Sequence, residues 1–484
     1  MNNKNKAIVN YYCTWDNQGN TTRTLPLDVN DKVNHDSLFG ENGWCKTLYP
    51  KERKSLMFLL DYGWDQPYGY GDTAVYRQYA GSHRIFEDKF PNYGKTPAER
   101  MKTLADNVRA CGWAGVGIWI YAGEESEVAK DLDEGVWSEE YWRERLEWSK
   151  YAGISYWKID FGHFLYNAEW RRFITKLGNE IYPDLIIEHT DPEHPLNDIF
   201  NTGRYTPEKL KTNLDCLSYS DIYRTYDVTQ ALSVVSSFDR IGELLCSALP
   251  QENDTLGIIN CEDELYMAAS MGMAMGVMRY PNNPAKRSVD EVGRAVKFSD
   301  MAPAFPANSS DNKISDEWFE DRWFFRDQET WKPEAYGHII MQTAPSSIAR
   351  NTALPVVKAE GEKPFVSVCK NPNGVFAVAT YSRTTPIKYK IYYKAEVTAF
   401  AEDSDTIGIF GEYEKLTLVF NSLPENIKIM AADLLKDELE DITKDVQITE
   451  NSIIISGELI HNLGLSAASE GDNGEPGMLL KVVK

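Results

Sequence analysis

Short apolar runs alternate with helical stretches over the first 345 or so residues, and this alternation limits the chain to a parallel β/α architecture. The runs are "AIVNYYCTW", "SLMFLLDYG", "AGVGIWIYA", "ISYWKIDFG", "DLIIEHTD", "DCLSYSD", "LGIINCE" and "GMAMGVMRY". Helix-like segments lie between several of them, such as "TPAERMKTLADNVRACG", where Thr96 reads as an N-cap with Glu99 three residues on. Parallel neighbours need crossover connections, and right-handed crossovers repeated eight times close a (β/α)8 TIM barrel. No clear helix is visible between Asn17 and Lys54.

The remainder of the chain reads differently. All 13 tryptophans lie at or before Trp331. Beyond it, β-rich runs such as "GVFAVATYS", "KLTLVFNS" and "SIIISGEL" are separated by turn signals, the pattern of a small antiparallel sandwich. The expected division is a (β/α)8 barrel over 1–345 and a C-terminal antiparallel β-sandwich over 346–484.

Composition narrows the function classes. A formal net charge of −22 without a basic cluster repels phosphate-rich partners, so nucleic acid is not an expected ligand. No apolar run reaches the roughly 20 residues that span a bilayer, and "MNNKNKAIVN" lacks the apolar stretch of a signal peptide. The reading is of a cytoplasmic protein without a membrane partner, or of a periplasmic or secreted one if a signal peptide preceded the chain. Seven scattered cysteines with no C-x-x-C pair suit reduced thiols. Neither a metal site nor an organic cofactor is expected, and oligomeric state is not indicated.

The strand "ISYWKIDFG" places Lys158 and Asp160 two residues apart, hence on one face, at the carboxyl end of a barrel strand where this fold puts its chemistry. An ammonium beside a carboxylate keeps the latter ionised. The same logic selects Trp15 and Asp16 after strand one, Asp61 and Trp64 after strand two, and Glu188 and His189 at the end of strand five. It adds Asp221, Arg224 and Asp227 after strand six and Glu262 after strand seven. Converging carboxylates, an arginine and aromatics such as Trp119 describe a sugar site, in which two carboxylates can cleave a glycosidic bond. Asp160 and Asp227 are the selected pair. An ion pair plugging the barrel end and a Schiff-base Lys158 are the competing readings of the Lys158–Asp160 motif.

These motifs resemble those of the α-galactosidase clan of glycoside hydrolases, families 27 and 36. "YWKIDFG" resembles the clan's K-x-D strand, "YRTYDV" its R-x-x-x-D-[IV] segment, and "LLDYGWD" its D-D-G-W stretch. "LADNVRACGWAGVGIWIYAG" and "EDELYMAASMGMAMGVM" resemble further clan segments, so that the likeness covers roughly residues 5 to 285 in order. The resemblance implies a retaining exo-acting hydrolase of terminal α-galactosides or related sugars, with an oligosaccharide or glycoconjugate as substrate. Asp160 would be its nucleophile, Asp227 its acid/base, and Lys158 and Arg224 sugar ligands. One departure bears on substrate: where galactosidases carry two adjacent aspartates, Asp61 is followed by Tyr62, which alters the pocket for an axial O4. Galactose, N-acetylgalactosamine and arabinopyranose all stay open, as does a barrel that binds sugar without hydrolysing it.

Overall fold

The computed structural model describes residues 10–18, 29–69, 78–190, 206–225, 233–248, 256–279, 288–308, 311–324, 339–384, 390–391 and 393–483. Eight strands form the first sheet: β1 (Tyr11–Cys13), β2 (Met57–Leu60), β3 (Gly115–Tyr121), β4 (Tyr156–Asp160), β5 (Ile186–Thr190), β6 (Ile222–Arg224), β7 (Ile258–Asn260) and β8 (Gly276–Val277). Their order is β7-β6-β5-β4-β3-β2-β1-β8, with every pair parallel. A parallel bridge between Asn260 and Ala274 brings the two ends of the order together, so the sheet is a (β/α)8 barrel.

The helices start where the sequence supplies caps. Helix α1 (Pro97–Ala110) carries the full capping box of Thr96 and Glu99. Ser138 caps α2 (Glu139–Ala152), which ends at Gly153 in the left-handed conformation, and Asn167 caps α3 (Ala168–Ile181). Between β1 and β2 only short helices and 3-10 turns occur among the described residues, as the sequence indicates.

One expected strand is a helix. The run "DCLSYSD" lies largely in α4 (Pro207–Tyr219), which Thr206 caps and Pro207 opens. Asn213, Cys216 and Leu217 are buried at helical spacing, a pattern that a short apolar run cannot distinguish from a strand. Strand β6 therefore begins at Ile222, which puts Asp221 before it rather than after it and makes Arg224 its last residue.

The barrel has an inner and an outer core. Tyr11, Cys13, Met57, Leu59, Tyr156, Ile186 and Ile222 point inward and form one cluster, distinct from the shell between strands and helices. Tyr11 and Tyr156 meet edge to face with centroids 5.3 Å apart. Glycine at 276 is what admits the Tyr11 ring: a Cβ there would lie 2.7 Å from it. Aromatic rings thus floor the lumen, and polar groups sit above them.

The chain enters the second layer earlier than residue 345. Asn312–Ile314 pairs antiparallel with Ser347–Arg350, inside a second eight-stranded sheet of mostly antiparallel pairs. A five-stranded sheet faces it, and Val366, Val368, Ile407, Ile409, Leu416, Leu418, Ile453 and Ile455 share one buried cluster between them. This sandwich is fixed to the barrel by buried polar contacts. Arg294 on α5 (Val289–Met301) reaches both carboxylate oxygens of Asp433 at 2.9 Å, and Arg350 donates to the carbonyls of Met271, Gly272, Phe305 and Pro306. All seven cysteines are free thiols, and no helix among the described residues is long and apolar enough to cross a membrane.

Candidate active site

Alternation along parallel strands brings Asp61, Lys158, Asp160, Glu188, Arg224 and Glu262 to the carboxyl-terminal end of the lumen. The register places Lys158 level with Trp119 on β3 and Glu188 on β5, and places Asp160 level with Tyr121. Lys158 Nζ lies 3.1 Å from Asp61 Oδ2, 3.0 Å from Glu262 Oε1 and 3.6 Å from Cys13 Sγ. Arg224 spans three carboxylates: Nη2 to Asp160 Oδ2 at 3.0 Å, Nε to Glu188 Oε1 at 3.1 Å, and Nη1 to Glu262 Oε2 at 3.3 Å.

Neutral donors complete the network. Tyr156 and Asn260 donate to Glu188 Oε2 at 2.7 and 2.6 Å, and Tyr11 donates to Glu262 Oε1 at 2.8 Å. Tyr11, Tyr156 and Asn260 escape a search for charged strand ends. Their one sequence signal is spacing, since Tyr156 lies two residues before Lys158 and Asn260 two before Glu262.

Exposure separates the members. The Asp160 side chain is 18% exposed, whereas Asp61 is 5%, Lys158 1%, and Glu188, Glu262 and Arg224 are 0%. Asp160 is thus the carboxylate of the cluster that faces incoming solute. Burial pushes its pKa up, but the charges of Arg224 and Lys158 more than offset this and hold it below its ordinary value. Burial likewise opposes ionisation of Glu262, and Lys158 and Arg224 again win, lowering it. Glu188 goes the other way: burial dominates over Arg224, with Glu262 adding repulsion, and its pKa rises.

Burial alone would lower the pKa of Lys158, yet Asp61 and Glu262 raise it well above normal. An ammonium held this firmly is a poor amine nucleophile, which argues against a Schiff-base role.

Other residues selected from sequence fall elsewhere. His189, adjacent to Glu188 and hence on the opposite face, points outward to Thr175 Oγ1 at 2.8 Å and packs edge-on to Tyr219. Trp64 is wholly buried in the outer shell, its Nε1 donating to the Trp119 carbonyl at 2.8 Å. Asp16 is buried in the 3-10 turn after β1, where its charge bears on the Tyr49 hydroxyl. Asp221 accepts from the Ile187 backbone amide at 2.9 Å, on the amino-terminal side of β6. Asp227 lies outside the described residues.

A row of aromatic side chains follows the carboxyl-terminal ends of β1 to β4. Half-buried Trp15 meets the Tyr62 ring at 6.5 Å, Tyr62 meets Trp119 at 4.8 Å, Trp119 meets Tyr121 at 6.4 Å, and Tyr121 meets Phe161 at 6.5 Å. Tyr62, next to Asp61 in the chain, therefore lies between two tryptophans.

No model of a known protein family matches the chain, and no curated protein matches it. Among solved structures, a variant of a GH27 β-L-arabinopyranosidase from Geobacillus stearothermophilus, in complex with arabinose, is similar at 10% identity, over 99% of this chain and 97% of that one, with a TM-score of 0.45. A candidate α-galactosidase from Bacteroides fragilis is similar at 9% identity, over 99% of this chain and 79% of that one, with a TM-score of 0.43. A candidate α-N-acetylgalactosaminidase from Bacillus halodurans is similar at 11% identity, over 100% and 99% of the two chains, with a TM-score of 0.42. These likenesses are loose, and the barrel and sandwich rest on the strand pairing above.

Proposed function

We propose that the chain is a retaining, exo-acting glycoside hydrolase that releases a terminal α-galactose-type sugar, with galactose, N-acetylgalactosamine and arabinopyranose as the candidate glycones. The observation that carries the reading is Asp160, an ionised carboxylate at the open end of β4 that stays partly exposed while every charged neighbour is buried around it. In the mechanism, Asp160 attacks the anomeric carbon as the glycosidic bond breaks, and Asp227 gives its proton to the leaving oxygen. Asp227 then takes a proton from water, whose oxygen attacks the same carbon and displaces Asp160. The role of Asp227 rests on the "YRTYDV" resemblance. Arg224 and Lys158 hold Asp160 ionised, Asp61 holds Lys158 in place, and Trp15, Tyr62 and Trp119 supply apolar faces for the ring.

The test is release of nitrophenol from nitrophenyl α-galactoside, α-N-acetylgalactosaminide and β-L-arabinopyranoside by the intact protein and by Asp160→Asn. One glycone turned over, with a loss of roughly 10³-fold or more in the variant, is the expected result. Equal rates for the two proteins, or a first-formed product of inverted anomeric configuration by NMR, would overturn the proposal.

A further inference from the structure

Phe161 follows Asp160 directly and is 61% exposed, a large apolar ring left in water beside a charged site. Its backbone is held on every side. The Phe161 amide donates to Asp160 Oδ1 at 2.8 Å, and the Phe161 carbonyl accepts from the Ala122 amide at 3.0 Å. Gly162 has φ +148°, and a Cβ there would come within 2.5 Å of Ala122 N, so glycine is what lets the loop lie against the end of β3. The ring itself leans on Tyr121, whose Cα pairs with that of Asp160. Phe161 is thus an exposed aromatic ring on an anchored backbone at the rim, at the outer end of the Trp15–Tyr62–Trp119–Tyr121 row.

From this arrangement we infer that Phe161, backed by Tyr121, is the platform for the leaving group: it takes a ring with an apolar face, a pyranose or an aryl ring, attached to the sugar that Asp160 attacks. The inference rests on the function proposed above. The glycone's hydroxyls match the polar network inside the lumen, where carboxylates, Lys158 and Arg224 converge. Phe161 offers no hydrogen bond and lies beyond Asp160 on the solvent side, so its complement is the part of the substrate that leaves. The backbone that carries the ring is already anchored, so only side-chain torsions are left to order on binding.

The experiment measures dissociation constants of methyl α-galactoside, nitrophenyl α-galactoside and melibiose by calorimetry on the Asp160→Asn protein, with and without Phe161→Ala. Both ring-bearing ligands are expected to bind about five-fold tighter than the methyl glycoside, the size of one aromatic contact, and Phe161→Ala to erase that advantage. Phe161→Tyr should restore it. An advantage that survives Phe161→Ala, an equal weakening of all three ligands, or no binding by any of them overturns the platform. Ring-dependent binding through Phe161 without hydrolysis by the intact protein would sink the hydrolase reading and leave the platform standing. Hydrolysis with no dependence on Phe161 would do the reverse.

Discussion

Arg224 Nη2 donates to Asp160 Oδ2 at 3.0 Å, and the two residues end β6 and β4, the strands on either side of β5 in one barrel. The contact does more than neutralise a charge. It fixes the one carboxylate of the cluster that solute can reach and keeps it ionised against the effect of burial.

A pH dependence follows from that shift. An acidic limb of kcat/KM that reports ionisation of Asp160 lies below the ordinary aspartate value, because the folded-state pKa is lowered. Arg224→Lys keeps a positive charge but cannot span three carboxylates with a planar fork. The acidic limb should then move up by roughly one unit, with kcat/KM down about 100-fold. A pH–rate profile of both proteins checks this, and an unmoved limb would dissociate Arg224 from the ionisation of Asp160.

Glu262 makes the opposite prediction. Its two oxygens are divided between Lys158 and Arg224, so it absorbs part of the positive field that acts on Asp160. Glu262→Gln removes that charge while keeping the shape, and the acidic limb should move down rather than up. Two buried cations lose a partner, so stability should fall by about 3 kcal/mol. Urea denaturation alongside the pH–rate profile reads both effects, and the sign of the pH shift is the discriminating result.

Asp227→Asn tests the second half of the proposed mechanism. A leaving group that needs no proton should still depart, so a dinitrophenyl glycoside should give a rapid burst followed by slow turnover as water attack loses its base. Stopped-flow release of dinitrophenolate measures the burst. Full turnover of alkyl and aryl glycosides alike would remove Asp227 from the chemistry.

Much of this site was legible because charge and spacing coincide in it. Lys158 and Asp160 stand two apart on an apolar strand, and Glu262 lies two residues past the end of another, so the two-residue period brings them to one lumen. The same alternation, applied to neighbours, separates Glu188 from His189, which strand-end position alone had grouped together. Tyr11, Tyr156 and Asn260 were hidden because neutral residues in an apolar run read as core. The misplaced sixth strand has a different cause. "DCLSYSD" is too short for a period of 2 to be told from 3.6, and the deciding signals, Thr206 and Pro207, lie well upstream of it.

Stability should carry a pH signature of its own from Asp65, which is buried next to Trp64 and accepts from the His83 amide at 3.2 Å. Burial pushes its pKa up to about 7, against backbone hydrogen bonds and the charge of Lys89, which lower it. The unfolded chain holds this proton only below about 3.9. Between that value and about 7 the native state binds more protons than the unfolded one, so this residue's contribution falls as pH rises through the window. At pH 8 the folded protein carries a buried, ionised carboxylate that costs on the order of 4 kcal/mol relative to the unfolded chain. Asp65→Asn keeps the acceptor for His83 and removes the charge. The variant should melt higher than the parent at pH 8, and the gap should close as pH is lowered towards 4. A gap that is absent at pH 8, or that widens on acidification, would mean that Asp65 is ionised and satisfied in the native state.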